Sequence, residues 1–161
     1  MAVRVEAATI DDVDVITPLW VALVEGQQRY GAHLLGAENS QSASAIIKQY
    51  VLTGNVGVAV EAGGPIVGFV MFHVETGVYE QDVTRGIVGN VFVVESARGQ
   101  GIGTKLMDYA EKRLREEGVD VVGLSVLAAN ENARRLYAER GYRPHRIEME
   151  RDVEPEGPDD A

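Results

Sequence analysis

A glycine-rich segment that begins with an arginine carries the clearest chemical signal in this sequence. Residues 98–103 read Arg-Gly-Gln-Gly-Ile-Gly, and they lie between an apolar stretch and residues with helical spacing. Closely spaced glycines leave backbone N–H groups unobstructed, and the N-terminus of a helix carries a partial positive charge. The guanidinium of Arg98 adds a fork of donors that matches phosphate oxygens. The segment predicts an anion site, although a tight strand-to-helix turn would also need glycines.

The residues that are missing narrow the identity of the anion. A P-loop for ATP needs Gly-x-x-x-x-Gly-Lys followed by Ser or Thr, and no such string occurs. A dinucleotide fingerprint that began at Gly99 would need a glycine at position 104, where the sequence has Thr104. Phosphoryl transfer from ATP and dinucleotide binding are therefore disfavoured.

A second block follows the glycine segment after one predicted helix and one predicted strand. Residues 130–137 read Asn-Glu-Asn-Ala-Arg-Arg-Leu-Tyr, and Gly141 and Tyr142 follow. The two blocks resemble the R/Q-x-x-G-x-G/A and N-x-x-A-x-x-L-Y motifs, the second with its later G-F/Y pair, of the GNAT superfamily of acyl-CoA-dependent N-acetyltransferases. The resemblance covers about residues 3–150, and its specific motifs lie within 90–142.

This resemblance implies an enzyme that moves acetyl from acetyl-CoA to a primary amine by direct attack in a ternary complex. It implies that Asn130 bonds the pantetheine chain and that the backbone of Val91, Phe92 and Val93 lines the pantetheine and thioester. It assigns the pyrophosphate to Arg98, Gly99, Gln100, Gly101, Ile102, Gly103 and Thr104. It makes Tyr137 the general acid, since a thiol with a pKa of about 8.5 leaves more readily once its sulfur is protonated. A non-catalytic acyl-CoA-binding sensor is the alternative.

The resemblance leaves the general base open, because Asn90 and Ser125 stand where some members of the superfamily carry a carboxylate. Glu75 and Glu80 are the leading candidates to take the proton of the amine. His73 and Glu75 share one strand face, so they are either an alternative base relay or a plain surface pair. The histidine-x-glutamate string there lacks the cysteine partners of a zinc deaminase, because the chain has no cysteine, so no metal is expected.

The surrounding pattern predicts the elements that position these residues. Runs of β-branched residues predict strands over 56–61, 66–75, 87–94 and 119–127, besides a first strand at 3–7 and a last one over 142–150. Helical spacing predicts a helix across 11–29 that is kinked or divided at Pro18, and further helices after Ser42, Ile102 and Asn130. The predicted fold class is α/β, with a GNAT-type mixed, mainly antiparallel sheet flanked by helices in the order β-α-α-β-β-β-α-β-α-β.

The composition of the chain disfavours several other classes of function. The 161 residues carry 15 basic and 25 acidic side chains, a net charge of −10 that disfavours nucleic acid as a partner. No apolar run reaches the roughly 18 residues of a membrane span, and the first residues do not resemble a secretion signal, so a cytoplasmic protein is expected. Residues 1–151 are predicted to form a single domain and residues 152–161 an acidic, disordered tail. A homodimer is compatible with the sequence.

Overall fold

A five-stranded sheet forms the centre of the protein. The computed structural model describes residues 2–154. The elements are β1 (Val3–Ala7), α1 (Val13–Gln27), α2 (Ser40–Leu52), β2 (Val56–Glu61), β3 (Ile66–Val74), β4 (Arg85–Val93), α3 (Ile102–Glu116), β5 (Val121–Leu124) and α4 (Glu131–Glu139). The strands lie in sequence order, and all neighbours are antiparallel except β4 and β5, which α3 connects in parallel. This arrangement confirms the predicted α/β class.

Helices cover both faces of the sheet. One face packs Phe72 of β3 against α3, where Leu106 is fully buried. The opposite face packs Phe69 of β3 against α1 and α2, through the buried Ile16 and Ile47. Successive side chains of a strand point to opposite faces, so a single strand serves both cores. β3 is therefore the strand that joins the two hydrophobic clusters.

The first helical segment differs from its prediction, because α1 runs as one helix from Val13 to Gln27 and is not divided at Pro18. A proline in a helix removes the hydrogen bond to the carbonyl four residues earlier, here that of Asp14. Both Pro18 and Asp14 are exposed, so water can satisfy that carbonyl. The buried Thr17 hydroxyl also donates to the Val13 carbonyl at 2.8 Å. The loss is thus confined to the solvent side of the helix.

The predicted last strand over 142–150 is wrong, because these residues have no regular secondary structure. Pro144 removes one backbone donor from any ladder. The alternating Ile147 and Met149 are 81% and 87% exposed, so no apolar surface of the described chain receives them. His33 lies 2.9 Å from Glu150 across this exposed segment. β5 likewise ends at Leu124, three residues before its predicted end.

Two further features bear on the expectations for the chain as a whole. Within residues 2–154, no helix is both long enough and apolar enough to cross a membrane. Residues 152–154 are exposed and irregular. The rest of the predicted acidic tail, 155–161, lies outside the described residues.

Candidate functional site

The site begins where β4 and β5 separate. The two strands pair from Arg85 opposite Val121 to Val88 opposite Leu124, and no pair follows. On the other side of β4, Phe72 lies opposite Val88 while Met71 lies opposite Asn90, so Gly89 is an extra residue in the ladder. Such a bulge bends its strand and increases the local twist. β4 therefore turns away from β5 at Gly89 and opens a gap between the strand ends, which we call the splay.

Backbone groups of β4 face this splay. The N–H of Val94 donates to the carbonyl of Val67 at 2.9 Å, so Val94 bonds toward β3. Hydrogen-bonding direction alternates along an antiparallel strand, which turns the N–H and C=O groups of Val93 and Val91 toward the splay. The Val93 carbonyl accepts a hydrogen bond from Nε of Arg98 at 2.9 Å, consistent with that orientation. Of the predicted segment 91–93, Val91 and Val93 therefore turn their backbone groups toward the splay, whereas those of Phe92 face β3.

The glycine loop presents a row of backbone donors beside the splay. Gly99 and Gly101 have φ of +80° and +77°, a left-handed conformation that other residues rarely adopt. Gly101 directly precedes α3, and the first helical hydrogen bond there runs from Lys105 to the Gly101 carbonyl. Within residues 2–154, the N–H groups of 99–104 donate to no acceptor. These donors add to the positive end of the α3 dipole and suit a pyrophosphate.

Arg98 is anchored to the strand end rather than extended into the loop. Besides its bond to the Val93 carbonyl, its guanidinium lies 5.6 Å from the centre of the Phe92 ring. The side chain is exposed, and its terminal N–H groups bond no residue in the described chain. Arg98 can therefore keep the Nε bond and still donate to an anion held by the loop.

Asn130 directly precedes α4, the short helix that follows β5, and Tyr137 lies on that helix. The Oδ1 atom of Asn130 accepts from the N–H of Ala133 at 3.2 Å and so caps α4. The ring of Tyr137 packs against the same cluster as Val91 and Val93, and it stands edge-on to Tyr142 at 5.9 Å. Burial raises the pKa of the Tyr137 phenol, so the group stays protonated at neutral pH. Tyr137 and the β4 residues Val91 and Val93 thus pack against one hydrophobic cluster, and the Tyr137 phenol keeps its proton.

A small cleft of about 120 Å³ lies on the opposite face of the sheet, beside the bulge. We call it the helix-side cleft. Its polar groups are Tyr50, His73 and Asn90, and its larger apolar side chains are Trp20, Ile46, Ile47 and Met71. The hydroxyl of Tyr50 lies 3.2 Å from Nδ1 of His73, and the two rings meet edge-on. Sequence reasoning missed Tyr50, because a tyrosine on an amphipathic helix carries no local sign of its partner.

Comparison with known proteins decides the family. The sequence model described as the Acetyltransferase (GNAT) family matches residues 20–142, which span β4, the glycine loop and α4. The chain belongs to this family. The family membership that the two sequence blocks predicted is thereby confirmed.

Relatives of this GNAT protein agree in fold and in general class. An aminoalkylphosphonate N-acetyltransferase of Salmonella typhimurium is 29% identical over 80 residues, which cover 50% of this chain and 51% of that protein. The match therefore spans about half the length of this curated relative. A GCN5-related N-acetyltransferase from Ralstonia eutropha superposes with a TM-score of 0.73 at 24% identity, covering 94% and 99% of the two chains. A mutant BH1408 protein from Bacillus halodurans superposes with a TM-score of 0.79 at 20% identity, and the superposition covers 95% of this chain and 99% of that one. Both structures share the GNAT fold.

The two carboxylates predicted as general base occupy different surroundings in this GNAT structure. Glu75 accepts hydrogen bonds from Gln81 at 2.6 Å and from Arg85 at 2.9 Å. The Gln81 hydrogen bond, followed by the charge of Arg85, lowers the pKa of Glu75. Both carboxylate oxygens of Glu75 thus already accept a hydrogen bond, and the group stays ionised. Glu75 is therefore less able to take the proton of the amine. Glu80 lies exposed on the loop between β3 and β4 and makes no hydrogen bond within the described chain.

A polar cluster ties α3 to the end of α4 and so holds the Tyr137 helix. Arg140 donates to Asp108 at 2.8 Å and to Glu111 at 2.7 Å, and the Tyr142 hydroxyl donates to Glu111 at 2.8 Å. Burial, together with the bond to Glu111, raises the pKa of Tyr142. Arg140 and Tyr142 lie three and five residues after Tyr137, so this cluster fixes where its ring stands.

We expect Glu111→Gln to lower the free energy of unfolding by about 1.5–3 kcal/mol, because hydrogen bonds to a charged acceptor contribute that much and two of them weaken. Turnover should fall along with stability, since the end of α4 loses its anchor. Glu117→Gln, an exposed glutamate just past α3, serves as the control. Urea unfolding of both variants checks the prediction, and equal stability of Glu111→Gln and wild type would contradict the role given to the cluster.

Proposed function

We propose that the protein is an acetyl-CoA-dependent N-acetyltransferase that acetylates a primary amine by direct attack in a ternary complex. The observation that carries the proposal is the row of N–H groups at 99–104, which find no acceptor in the described part of the chain, followed by the open backbone of β4. A pyrophosphate and an extended amide-bearing chain need anion donors and strand-like hydrogen-bonding groups in that order. We propose in addition that residues 1–151 form a single N-acetyltransferase domain.

The thioester carbonyl would gain negative charge as the amine attacks it. The N–H groups of Val91 and Val93 face the splay, and fixed backbone donors stabilise such charge. They require no rearrangement during the reaction, because β3 pairs with the other edge of β4 without interruption from Asn90 to Val93. In this proposal the splay binds the thioester as well as the pantetheine, and the Asn130 amide nitrogen, which the cap leaves unused, bonds that chain.

Tyr137 acts on the leaving group. The amine nitrogen forms a bond to the carbonyl carbon, the carbon–sulfur bond breaks, and the sulfur takes the phenolic proton of Tyr137. The raised pKa of Tyr137 keeps that proton available over the neutral range. The resulting phenolate regains a proton from water when the products leave. The nitrogen must also lose one proton, and its acceptor is considered below.

A panel of amines tests the proposal. The wild-type chain is mixed with acetyl-CoA and each amine, and release of free thiol is followed together with the mass of the amine product. Thiol release that depends on the amine, with an acetylated product, supports the proposal. Binding of acetyl-CoA by calorimetry without any acetylated product would instead favour the non-catalytic sensor, and no binding at all would contradict both.

We expect Arg98→Ala to weaken acetyl-CoA binding roughly tenfold or more. One or two charged hydrogen bonds to the pyrophosphate are lost, each contributing about 1.5–3 kcal/mol, and 1.4 kcal/mol corresponds to a factor of ten. Arg115→Ala, in the last turn of α3, removes the same charge at the other end of the helix and should leave the affinity unchanged. Calorimetry at one ionic strength compares the two, and equal affinities would remove Arg98 from the site.

A further inference from the structure

The helix-side cleft lies next to the reacting centre of the proposed site. Gly89 and Asn90 line it, and Val91, whose backbone faces the splay, is the next residue along β4. Adjacent α-carbons are about 3.8 Å apart, so a ligand in the cleft reaches the strand segment that would hold the thioester. In the proposed function the acyl donor enters through the splay, and the helix-side cleft adjoins the same stretch of β4 at Asn90, which suits the acceptor.

The lining of the cleft selects the chemistry of that acceptor. None of the described residues that line it is a carboxylate, a lysine or an arginine. An ammonium group that enters loses its hydration without gaining an ionic partner, and a phosphonate would meet no cation. The rings and aliphatic side chains of Trp20, Ile46 and Met71 offer apolar contact instead. The cleft therefore favours an amine that carries an apolar group and that reacts in its neutral form.

His73 is the group in the cleft that can take a proton. When its Nδ1–H donates to the Tyr50 hydroxyl oxygen at 3.2 Å, the lone pair of Nε2 is free to accept one. Tyr50 also contacts the ring edge-on and so fixes its orientation. Glu75, on the same face of β3, interacts electrostatically with His73 and is itself paired with Arg85 at 2.9 Å. Because Glu75 is engaged by Arg85, the imidazole of His73 is the proton acceptor that the described lining of the cleft offers.

We propose that the helix-side cleft binds a primary amine with an aromatic or other apolar substituent, and that His73, oriented by Tyr50, takes the proton of the attacking nitrogen. The proposal rests on the acetyl transfer proposed above. As the nitrogen–carbon bond forms, one nitrogen–hydrogen bond breaks and its proton moves to Nε2 of His73, while the departing sulfur takes the proton of Tyr137. His73 then returns its proton to solvent.

Binding is tested without acetyl-CoA through Trp20, which is the single tryptophan of the sequence and lines the cleft. Its fluorescence is titrated with 2-phenylethylamine and with 2-aminoethylphosphonate. We expect a saturable change with 2-phenylethylamine at a concentration at least about tenfold below that needed for the phosphonate, which corresponds to 1.4 kcal/mol or more. Equal responses, or a tighter response to the phosphonate, would overturn the assignment of the acceptor class.

Proton transfer is tested with His73→Gln, with Tyr50→Phe, and with His145→Gln as a matched control at an exposed histidine. General base catalysis contributes roughly 10²–10⁴-fold, so His73→Gln should lose at least about 10² in kcat at pH 7 while Trp20 still reports amine binding. The loss should shrink toward pH 10, where the amine, with an ordinary pKa of about 10.4, sheds its proton in solution. Tyr50→Phe should lose less, and His145→Gln should match wild type.

The outcomes separate this inference from the function on which it rests. A wild-type chain that acetylates no amine of the panel contradicts the proposed function and the proton transfer together, whereas the Trp20 titration still decides the acceptor class. A wild-type chain that acetylates 2-phenylethylamine while His73→Gln keeps its rate within twofold overturns the role of His73 alone. A loss of equal size at every pH overturns it as well, because that pattern indicates a structural role.

Discussion

We expect replacement of Tyr137 with phenylalanine to lower the rate of the chemical step by roughly 10²–10⁴-fold, the usual contribution of a general acid, because the proposed mechanism gives Tyr137 that role. Affinity for acetyl-CoA should stay close to that of wild type, since in the proposed mechanism the hydroxyl acts on the sulfur mainly in the transition state. Phenylalanine keeps the edge-on contact with Tyr142, so the packing of α4 is preserved. Single-turnover kinetics measure the effect, because slow product release can hide a slower chemical step.

Tyr109→Phe is the matched control for this change. Tyr109 is also a partly buried tyrosine whose pKa burial raises, but it lies on α3 against Phe72 and Gly57, on the β2 side of the sheet. The control should keep the full chemical rate. A Tyr137→Phe variant that binds acetyl-CoA and transfers acetyl as fast as wild type would show that Tyr137 only packs in the core.

Replacing Leu106 with alanine lowers the free energy of unfolding by about 2–5 kcal/mol, the range measured for leucine-to-alanine changes in buried cores. Leu106 is fully buried, and it lies over Gly68, where an added Cβ would come within 3.1 Å of its Cδ1 atom. Its neighbour Gly68 belongs to a strand that is paired on both sides, so this backbone is not free to move into the cavity. Because natural domains have a net stability of about 5–15 kcal/mol, this single change removes a large part of it.

Leu52→Ala serves as the control for the core change, because Leu52 is 69% exposed at the end of α2. Urea unfolding measures the free energy of unfolding of both variants. An unchanged slope of that free energy against urea concentration would show that the substitution alters stability and not the surface exposed on unfolding. The loss at Leu106 should also weaken acetyl-CoA binding near the unfolding midpoint, since α3 presents the glycine loop. A Leu106→Ala chain as stable as Leu52→Ala would contradict the packing of α3 on β3 and β4.

Local features of the site could be predicted from the sequence because neighbouring residues create them. Positive φ at Gly99 and Gly101 and the donors at the start of α3 follow from glycine spacing directly before a helical repeat. The same holds for Asn130, whose side chain caps the helix that begins at the next residue. The strands β2, β3 and β4 followed from β-branched runs whose side chains suit a buried sheet.

Features that depend on distant partners could be decided only by the tertiary structure. Glu75 became part of an ion pair because β4 brings Arg85 beside it, and Tyr50 of α2 meets His73 of β3 only after both pack on one sheet face. The alternation at Ile147 and Met149 predicted a strand, yet a strand needs a paired edge and an apolar surface, and neither forms there. Sequence pattern reports which conformations a segment favours, whereas hydrogen bonds and burial between distant segments decide which one is stable.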